Sequence, residues 1–304
     1  MQPRAPTEAS PSKVTPVAAS SAVRPSDVFR ADPAAGWLFK ANSEVRVRFR
    51  EGVVQRIGAD GWRRVPGGAT ATGPRIAFYG CSFTYGAGLG DEETFCAFLQ
   101  RERPDVRVLN RGVSGHGTVQ NLVQLRRDIA AGAVDAAAFA VIGDHRFRNV
   151  AHPQRMRAYL QPRWRPSRTE HVPIARLDAN GRVRIRYLPL VQPLAADPRL
   201  EHFLPDEHAL NRTTLAVLAL AAETAAAAAI PLRLLLLDRE DEAFSRIVLH
   251  RFDGMRDVSV PLDEAHTFKP ADPHPNVRAN ELYAGGILPV LDALAREARE
   301  GHGP

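Results

Sequence analysis

From residue 75 onward, short apolar runs of strand length alternate with longer amphipathic segments, and this alternation most constrains the fold of the chain. Strands that alternate with helices form a parallel sheet, because each helix carries the chain back to the start of the next strand. The sequence therefore predicts a parallel sheet covered by helices on both faces, with functional loops at the carboxyl ends of the strands. The predicted strands are 76–79, 106–109, 136–142, 232–237 and 258–260, and the predicted helices are 91–103, 118–131, 207–229, 242–249 and 277–299.

The remaining segments divide the chain into regions of different composition. Residues 1–34 are rich in Pro, Ala and Ser and are predicted to form a disordered tail. Residues 35–73 alternate apolar and charged side chains on both sides of Glu51-Gly52, which predicts a small β-hairpin extension and its linker. The α/β domain is expected to span 74–300. Inside it, Asn180-Gly181 separates two alternating runs and predicts a hairpin within an insertion at about 160–205.

Composition and charge exclude several classes of protein. The net charge is +6, but the arginines are scattered and no nucleic-acid-binding motif accompanies them, so a nucleic-acid partner is not expected. The most apolar stretch, Thr213 to Asp238, is interrupted by Glu223, Pro231 and Arg233 and predicts a helix followed by a strand, not a membrane span. The amino terminus carries no continuous apolar segment typical of a secretory signal, so a cytoplasmic location is expected.

Polar or glycine-rich clusters follow three predicted strands, and a fourth precedes the last helix. They read "GCSFTYGAG" from 80, "NRGVSGHGT" from 110, "IGDHRFRN" from 142 and "DPHPN" from 272. Such clusters at one edge of a sheet are typical of an active site. Simpler interpretations stay open: Ser82 could be a turn residue, and Asp272 could cap the final helix. Cys81 is expected to face the core, because adjacent side chains on a strand point to opposite faces.

These four clusters, in this order, resemble the SGNH or GDSL-like hydrolases, a family of serine esterases. The resemblance covers residues 75–300 and implies a three-layer, flavodoxin-like parallel sheet. It implies that Ser82 is the nucleophile, that His274 is its general base and that Asp272 orients the imidazole of His274. It also implies an oxyanion hole formed by the backbone N–H groups of Ser82 and Gly115 and by a third donor.

Two positions depart from the pattern of the family. In Gly143-Asp144-His145, His145 stands where the family has the asparagine that completes the oxyanion hole. A neutral histidine can donate through one ring nitrogen, so His145 is the predicted third donor. The acid usually lies three residues before the histidine, whereas Asp272 lies two before His274, as in an Asp-x-His-Pro-Asn version of the motif.

The resemblance predicts an esterase or deacylase that cleaves a small O-acyl ester, such as an O-acetyl group on a carbohydrate or a small natural product. No cofactor is implied. A metal site is not expected either, since neither His-x-x-x-His nor His-Glu-x-x-His occurs. Two alternatives stay open: an O-acyltransferase that uses the same Ser-His-Asp triad, and a non-catalytic binding protein that keeps the fold. The acceptor, the acyl group and the oligomeric state are not determined by the sequence.

Overall fold

The computed structural model describes residues 28–150, 152–160, 169–190 and 205–301. The strands are β1 (Phe29–Asp32), β2 (Gly36–Phe39), β3 (Glu44–Arg46), β4 (Val54–Arg56), β5 (Arg75–Gly80), β6 (Arg107–Gly112), β7 (Ala136–Val141), β8 (His171–Leu177), β9 (Val183–Pro189), β10 (Leu232–Leu236), β11 (Arg256–Asp257), β12 (Thr267–Phe268) and β13 (Asp272–Pro275). The helices are α1 (Ser82–Tyr85), α2 (Phe95–Glu102), α3 (Thr118–Ala130), α4 (His145–Asn149), α5 (Pro153–Leu160), α6 (Glu207–Ala227), α7 (Glu242–Arg251) and α8 (Val277–Glu300), with a 3-10 turn at Asp91–Glu93.

Five parallel strands form the central sheet in the spatial order β11-β10-β7-β5-β6. Counted in chain order from the opposite edge, this order is 2-1-3-4-5, the order of flavodoxin-like folds. The predicted fold class is therefore confirmed. The order reverses between β5 and β7, and clefts that bind ligands in such sheets open at the carboxyl ends of the strands beside this reversal.

Helices cover both faces of the sheet, as the apolar runs of its strands predict. Every residue of β7 is buried, because the strand lies in the middle of the sheet with a helical layer on each side. Helices α2 and α8 pack on one face around residues such as Phe95 and Ile287. Helices α3 and α6 pack on the other face around residues such as Leu122 and Val217.

The N-terminal extension begins earlier than the sequence predicted. Residues 1–34 were expected to be disordered, but Phe29–Asp32 form β1 and pair in antiparallel register with β2. Phe29 is buried and stacks on Phe39, with ring centroids 4.8 Å apart. A four-residue strand is too short to show a periodic pattern within a segment rich in Ala and Pro. The second hairpin of the extension, β3 with β4, lies where the Glu51-Gly52 turn predicted one.

The predicted hairpin insertion is present as β8 and β9, which pair over seven residues each. Gly181 has a φ of +73° in the turn between them. Residues 161–168 and 191–204, which the predicted insertion includes, lie outside the described residues. The hairpin is tied to the extension, because the hydroxyl of Thr169 donates to the carbonyl of Gly36 at 3.0 Å.

Candidate active site

The corner after β5 places Ser82 at the carboxyl edge of the sheet. Gly80 is required there by close packing, because a Cβ at this position would lie 2.0 Å from the Thr84 hydroxyl oxygen. Cys81 is 1% exposed and belongs to the core, as predicted from strand alternation. Ser82 is the first residue of α1, so its backbone N–H lies at the end of the helix where amide groups have no partner inside the helix.

The Ser82 side chain is 6% exposed and makes no hydrogen bond to another described residue. Its backbone N–H is likewise without a recorded partner in the described part of the chain. A hydroxyl and an amide without a hydrogen bond to any described residue can both bond to a substrate. In unliganded enzymes, catalytic hydrogen bonds commonly form only when substrate is bound.

Asp272 and His274 are paired on β13, which lies against α1. The Nδ1 of His274 and the Oδ1 of Asp272 are 2.5 Å apart, and the same oxygen accepts the backbone N–H of His274 at 2.9 Å. The Asp272 carboxylate therefore turns forward along its own chain, which explains how residues only two apart can meet. The His274 ring also packs edge-on against Phe83, the neighbour of Ser82, with centroids 6.0 Å apart.

Asp272 does not cap the final helix. The N-cap of α8 is Asn276, whose side chain accepts the backbone N–H of Ala279 at 3.1 Å. Asp272 is 6% exposed, and its carboxylate is directed at His274. The capping interpretation of this residue is thus replaced by a buried carboxylate that orients an imidazole.

A second Asp–His pair precedes β12 and has the three-residue spacing that is usual in the family. The Nδ1 of His266 lies 2.7 Å from the Oδ1 of Asp263, and this oxygen also accepts the His266 N–H at 3.1 Å. The Asp263 side chain, however, is 56% exposed, whereas that of Asp272 is 8% exposed. Of the two imidazoles, that of His274 contacts the residue beside Ser82.

Gly115 lies in the loop that follows β6, next to the Ser82 corner. The last residues of β5 and β6, Gly80 and Gly112, are paired, and the N–H of Val113 donates to the Gly80 carbonyl at 3.1 Å. Gly115 has a φ of +85°, a conformation that favours glycine. Its backbone N–H forms no hydrogen bond to a described residue, so neither of the two predicted oxyanion amides is used within the described part of the chain.

His145 is fully buried, and neither of its ring nitrogens has a hydrogen-bond partner in the described part of the chain. Burial, together with the charge of Arg148, holds the pKa of His145 well below its ordinary value, so the ring is neutral. In Gly143-Asp144-His145, the partly exposed residue is Asp144, whose carboxylate lies between Arg148 and Arg155. The oxyanion role of His145 stays a prediction.

Asp238 is a buried carboxyl group at the same edge that sequence reasoning did not single out. It lies two residues after the end of β10 and is 4% exposed, and its Oδ1 accepts the N–H of Glu240 at 3.2 Å. Burial raises its pKa to about 6. Its position after the fourth predicted strand, in "LLLLDRE", was the available sequence signal.

We expect Asp238→Asn to change the pH dependence of stability. Because the folded-state pKa is raised, the folded protein binds more protons than the unfolded chain between about pH 4 and pH 6, so stability falls as pH rises through that window. The variant has no carboxyl group at this position and therefore does not lose stability in that window. Its free energy of unfolding should exceed that of the parent by on the order of 2 kcal/mol above pH 6, with little difference below pH 4. Urea unfolding of both proteins between pH 4 and pH 8 measures the difference.

Asp257→Asn serves as the control of opposite sign. Burial raises the pKa of Asp257, but hydrogen bonds from Ser259 and Arg239 outweigh this and lower it overall. This variant should be less stable than the parent at neutral pH. If the stability difference between Asp238→Asn and the parent is the same from pH 4 to pH 8, the pKa of Asp238 is not raised and the prediction is wrong.

No protein-family model and no curated protein matches the chain. Solved structures similar to it include TesA, at 18% identity and a TM-score of 0.44 over 72% of this chain and 99% of the other. A member of the lipolytic protein G-D-S-L family from Veillonella parvula has 14% identity and a TM-score of 0.42 over 72% and 98%. A catalytic mutant of Axe2, an acetylxylan esterase from Geobacillus stearothermophilus, has 14% identity and a TM-score of 0.42 over 75% and 95%.

The three-layer architecture rests on the strand order and the two helical layers of this chain itself. The chemistry of the site rests on the geometry of this chain alone. Within the described ranges, no helix is long and apolar enough to cross a membrane. The same ranges contain no group of three or more His, Cys, Asp or Glu side chains arranged to hold a metal ion.

Proposed function

We propose that the protein is a serine hydrolase that cleaves a small O-acyl ester through an acyl-enzyme on Ser82. The observation that carries this proposal is the buried Asp272 carboxylate bonded to the Nδ1 of His274, on a strand that contacts the helix beginning at Ser82. A carboxylate on Nδ1 keeps the proton there and leaves the lone pair of Nε2 free to act as a base.

The reaction proceeds in two halves on this arrangement. The Ser82 oxygen attacks the ester carbonyl while His274 Nε2 takes its proton, and the oxyanion accepts the N–H groups of Ser82 and Gly115. The tetrahedral intermediate then collapses, and His274 returns the proton to the leaving alcohol. Water deprotonated by His274 attacks the acyl-enzyme, and Ser82 regains its proton as the acid departs.

We further propose a polar O-acyl ester as the substrate class, with an O-acetyl group on a carbohydrate or a small natural product as the working choice. The support is electrostatic: beside Gly115, a single carboxylate, Asp144, is shared by two guanidinium groups, Arg148 and Arg155. Arg148 also donates to the His116 carbonyl at 2.8 Å, which fixes this polar cluster next to the loop. A polar cluster this close to a proposed oxyanion donor favours hydrogen-bonding substrates over long acyl chains.

Labelling with a fluorophosphonate tests the proposed function without knowledge of the substrate. We expect one phosphonyl group on the parent protein, located at Ser82 by peptide mass spectrometry, and none on Ser82→Ala. Hydrolysis of 4-nitrophenyl acetate should be lost in the same variant. A folded parent protein that remains unlabelled at Ser82 would show that Ser82 is not an activated nucleophile and would overturn the proposed function.

A further inference from the structure

Three consecutive carbonyl groups in the loop after β6 are each held by a donor from a different part of the chain. The indole Nε1 of Trp37 donates to the Ser114 carbonyl at 3.0 Å, and the hydroxyl of Tyr159 donates to the Gly115 carbonyl at 3.1 Å. The third carbonyl, that of His116, accepts Arg148 Nη1 at 2.8 Å. Trp37 comes from the N-terminal extension and Tyr159 from α5, so both donors lie outside the sheet that carries the loop.

The bond from Trp37 to the Ser114 carbonyl bears on the Gly115 N–H, which the proposed mechanism uses as an oxyanion donor. A peptide unit is planar and trans, so the Ser114 carbonyl and the Gly115 N–H belong to one plane and point in opposite directions. Trp37 holds the carbonyl side of that plane and therefore sets the direction of the Gly115 N–H. Tyr159 holds the carbonyl of the next plane, whose N–H, from His116, donates to Val113 at 3.1 Å.

The donors themselves are fixed by packing and by a second hydrogen bond. Trp37 is fully buried, and its ring packs edge-on against His116 and Tyr159, with centroids 5.3 Å and 5.1 Å away. The carbonyl of Trp37 accepts His116 Nε2 at 2.9 Å, so this nitrogen carries the proton. Burial lowers the pKa of His116 to about 3, so the ring stays neutral near pH 7.

We propose that Trp37 and Tyr159 are positioning residues for the Gly115 amide, and that the N-terminal extension is thereby a working part of the active site. The inference rests on the proposed hydrolase function, because it assigns a purpose to an oxyanion donor. Neither side chain is expected to touch the substrate. Together they fix the two peptide planes on either side of Gly115, the residue at φ +85° whose N–H has no recorded partner among the described residues.

Tyr159→Phe and Trp37→Phe test the proposal by removing each donor. Loss of a whole oxyanion donor costs about 10²–10³ in kcat, and a misdirected donor should cost about tenfold to a hundredfold, with KM within about twofold of the parent value. Tyr159→Phe is the cleaner variant because it removes one oxygen atom and leaves the ring in place. Kinetics with 4-nitrophenyl acetate give both constants.

Tyr283→Phe is the matched control. Tyr283 is also a buried tyrosine whose hydroxyl donates to a backbone carbonyl, that of Leu237 at 3.0 Å, but it lies on α8, where its ring packs against Phe95. It should lose a similar amount of thermal stability while keeping kcat within about twofold. If both tyrosine variants lose kcat equally, the effect is general destabilisation and the proposal is wrong.

Hydrogen exchange separates this proposal from the proposed function. Amide exchange in peptides covering residues 110–118 should become faster in Trp37→Phe and Tyr159→Phe than in the parent, and should not change in Tyr283→Phe. If the parent is inactive but shows this exchange pattern, the proposed hydrolase function is wrong, while the fixing of the Gly115 loop by Trp37 and Tyr159 is supported. An active parent whose kcat and loop exchange are both unaffected by Tyr159→Phe would overturn the positioning role.

Discussion

Ser82→Ala is expected to reduce ester hydrolysis by about 10⁴-fold or more while the protein remains folded. The physical reason is that the substitution removes the oxygen that forms the acyl bond. The backbone N–H, which is the proposed oxyanion donor, remains in place. The stability cost should be small, because the Ser82 side chain makes no hydrogen bond to another described residue. The measurements are kcat with 4-nitrophenyl acetate and the midpoint of thermal unfolding.

Ser245→Ala is the matched control for this loss. Ser245 is also buried, at 2% exposure, but its hydroxyl donates to the carbonyl of Asp241, the N-cap of α7, at 2.7 Å. This variant should retain its rate and lose about 1 kcal/mol of stability. Residual hydrolysis in Ser82→Ala above about a hundredth of the parent rate would show that another group is the nucleophile.

His274→Ala is expected to lose nearly as much activity as Ser82→Ala, and Asp272→Asn is expected to lose less. Without the imidazole, no base accepts the serine proton. With asparagine at 272, the base is present but its proton is no longer held on Nδ1 by a carboxylate. Loss of the acid costs about 3 × 10⁴ in kcat in a well-studied triad in which loss of the serine or the histidine costs about 2 × 10⁶. Steady-state kinetics of the two variants on the same ester measure the ratio.

Asp263→Asn provides a control with nearly identical local geometry. Asp263 bonds the Nδ1 and the backbone N–H of His266 just as Asp272 bonds those of His274, but it does so at an exposed site. We expect this variant to keep the parent rate within about threefold. If Asp263→Asn is the more damaged of the two, the catalytic pair has been assigned to the wrong histidine.

Local pattern was sufficient for the central strands of the sheet, whereas the edge strand β11 lies at Arg256–Asp257 instead of at the predicted 258–260. The strand at 136–142 could be predicted because a central parallel strand is buried on both faces and reads as a continuous apolar run, and β7 lies there at Ala136–Val141. β1 could not be predicted in the same way, because it has four residues and is stabilised by pairing with β2. Its existence depends on a partner more than on its own sequence.

Two Asp–His pairs show the corresponding limit for the site. The pairs 263/266 and 272/274 form the same two hydrogen bonds, and the sequence selected the second pair only through its Asp-x-His-Pro-Asn motif, since the first has the more usual spacing of three residues. In the fold they differ in the burial of the carboxylate and in the contact of His274 with Phe83. The bond from Trp37 to Ser114 joins residues 77 positions apart, and no local pattern predicts it.

By itself, the sequence determined the alternation of strands and helices and the kinds of residue at the ends of the strands, because both follow from interactions between near neighbours in the chain. The tertiary structure decided which histidine lies against the helix that begins at Ser82, that Asn276 caps the last helix in place of Asp272, and that the N-terminal extension holds the Gly115 loop. Those outcomes depend on packing and hydrogen bonds between distant segments, which exist only when the whole sheet has assembled.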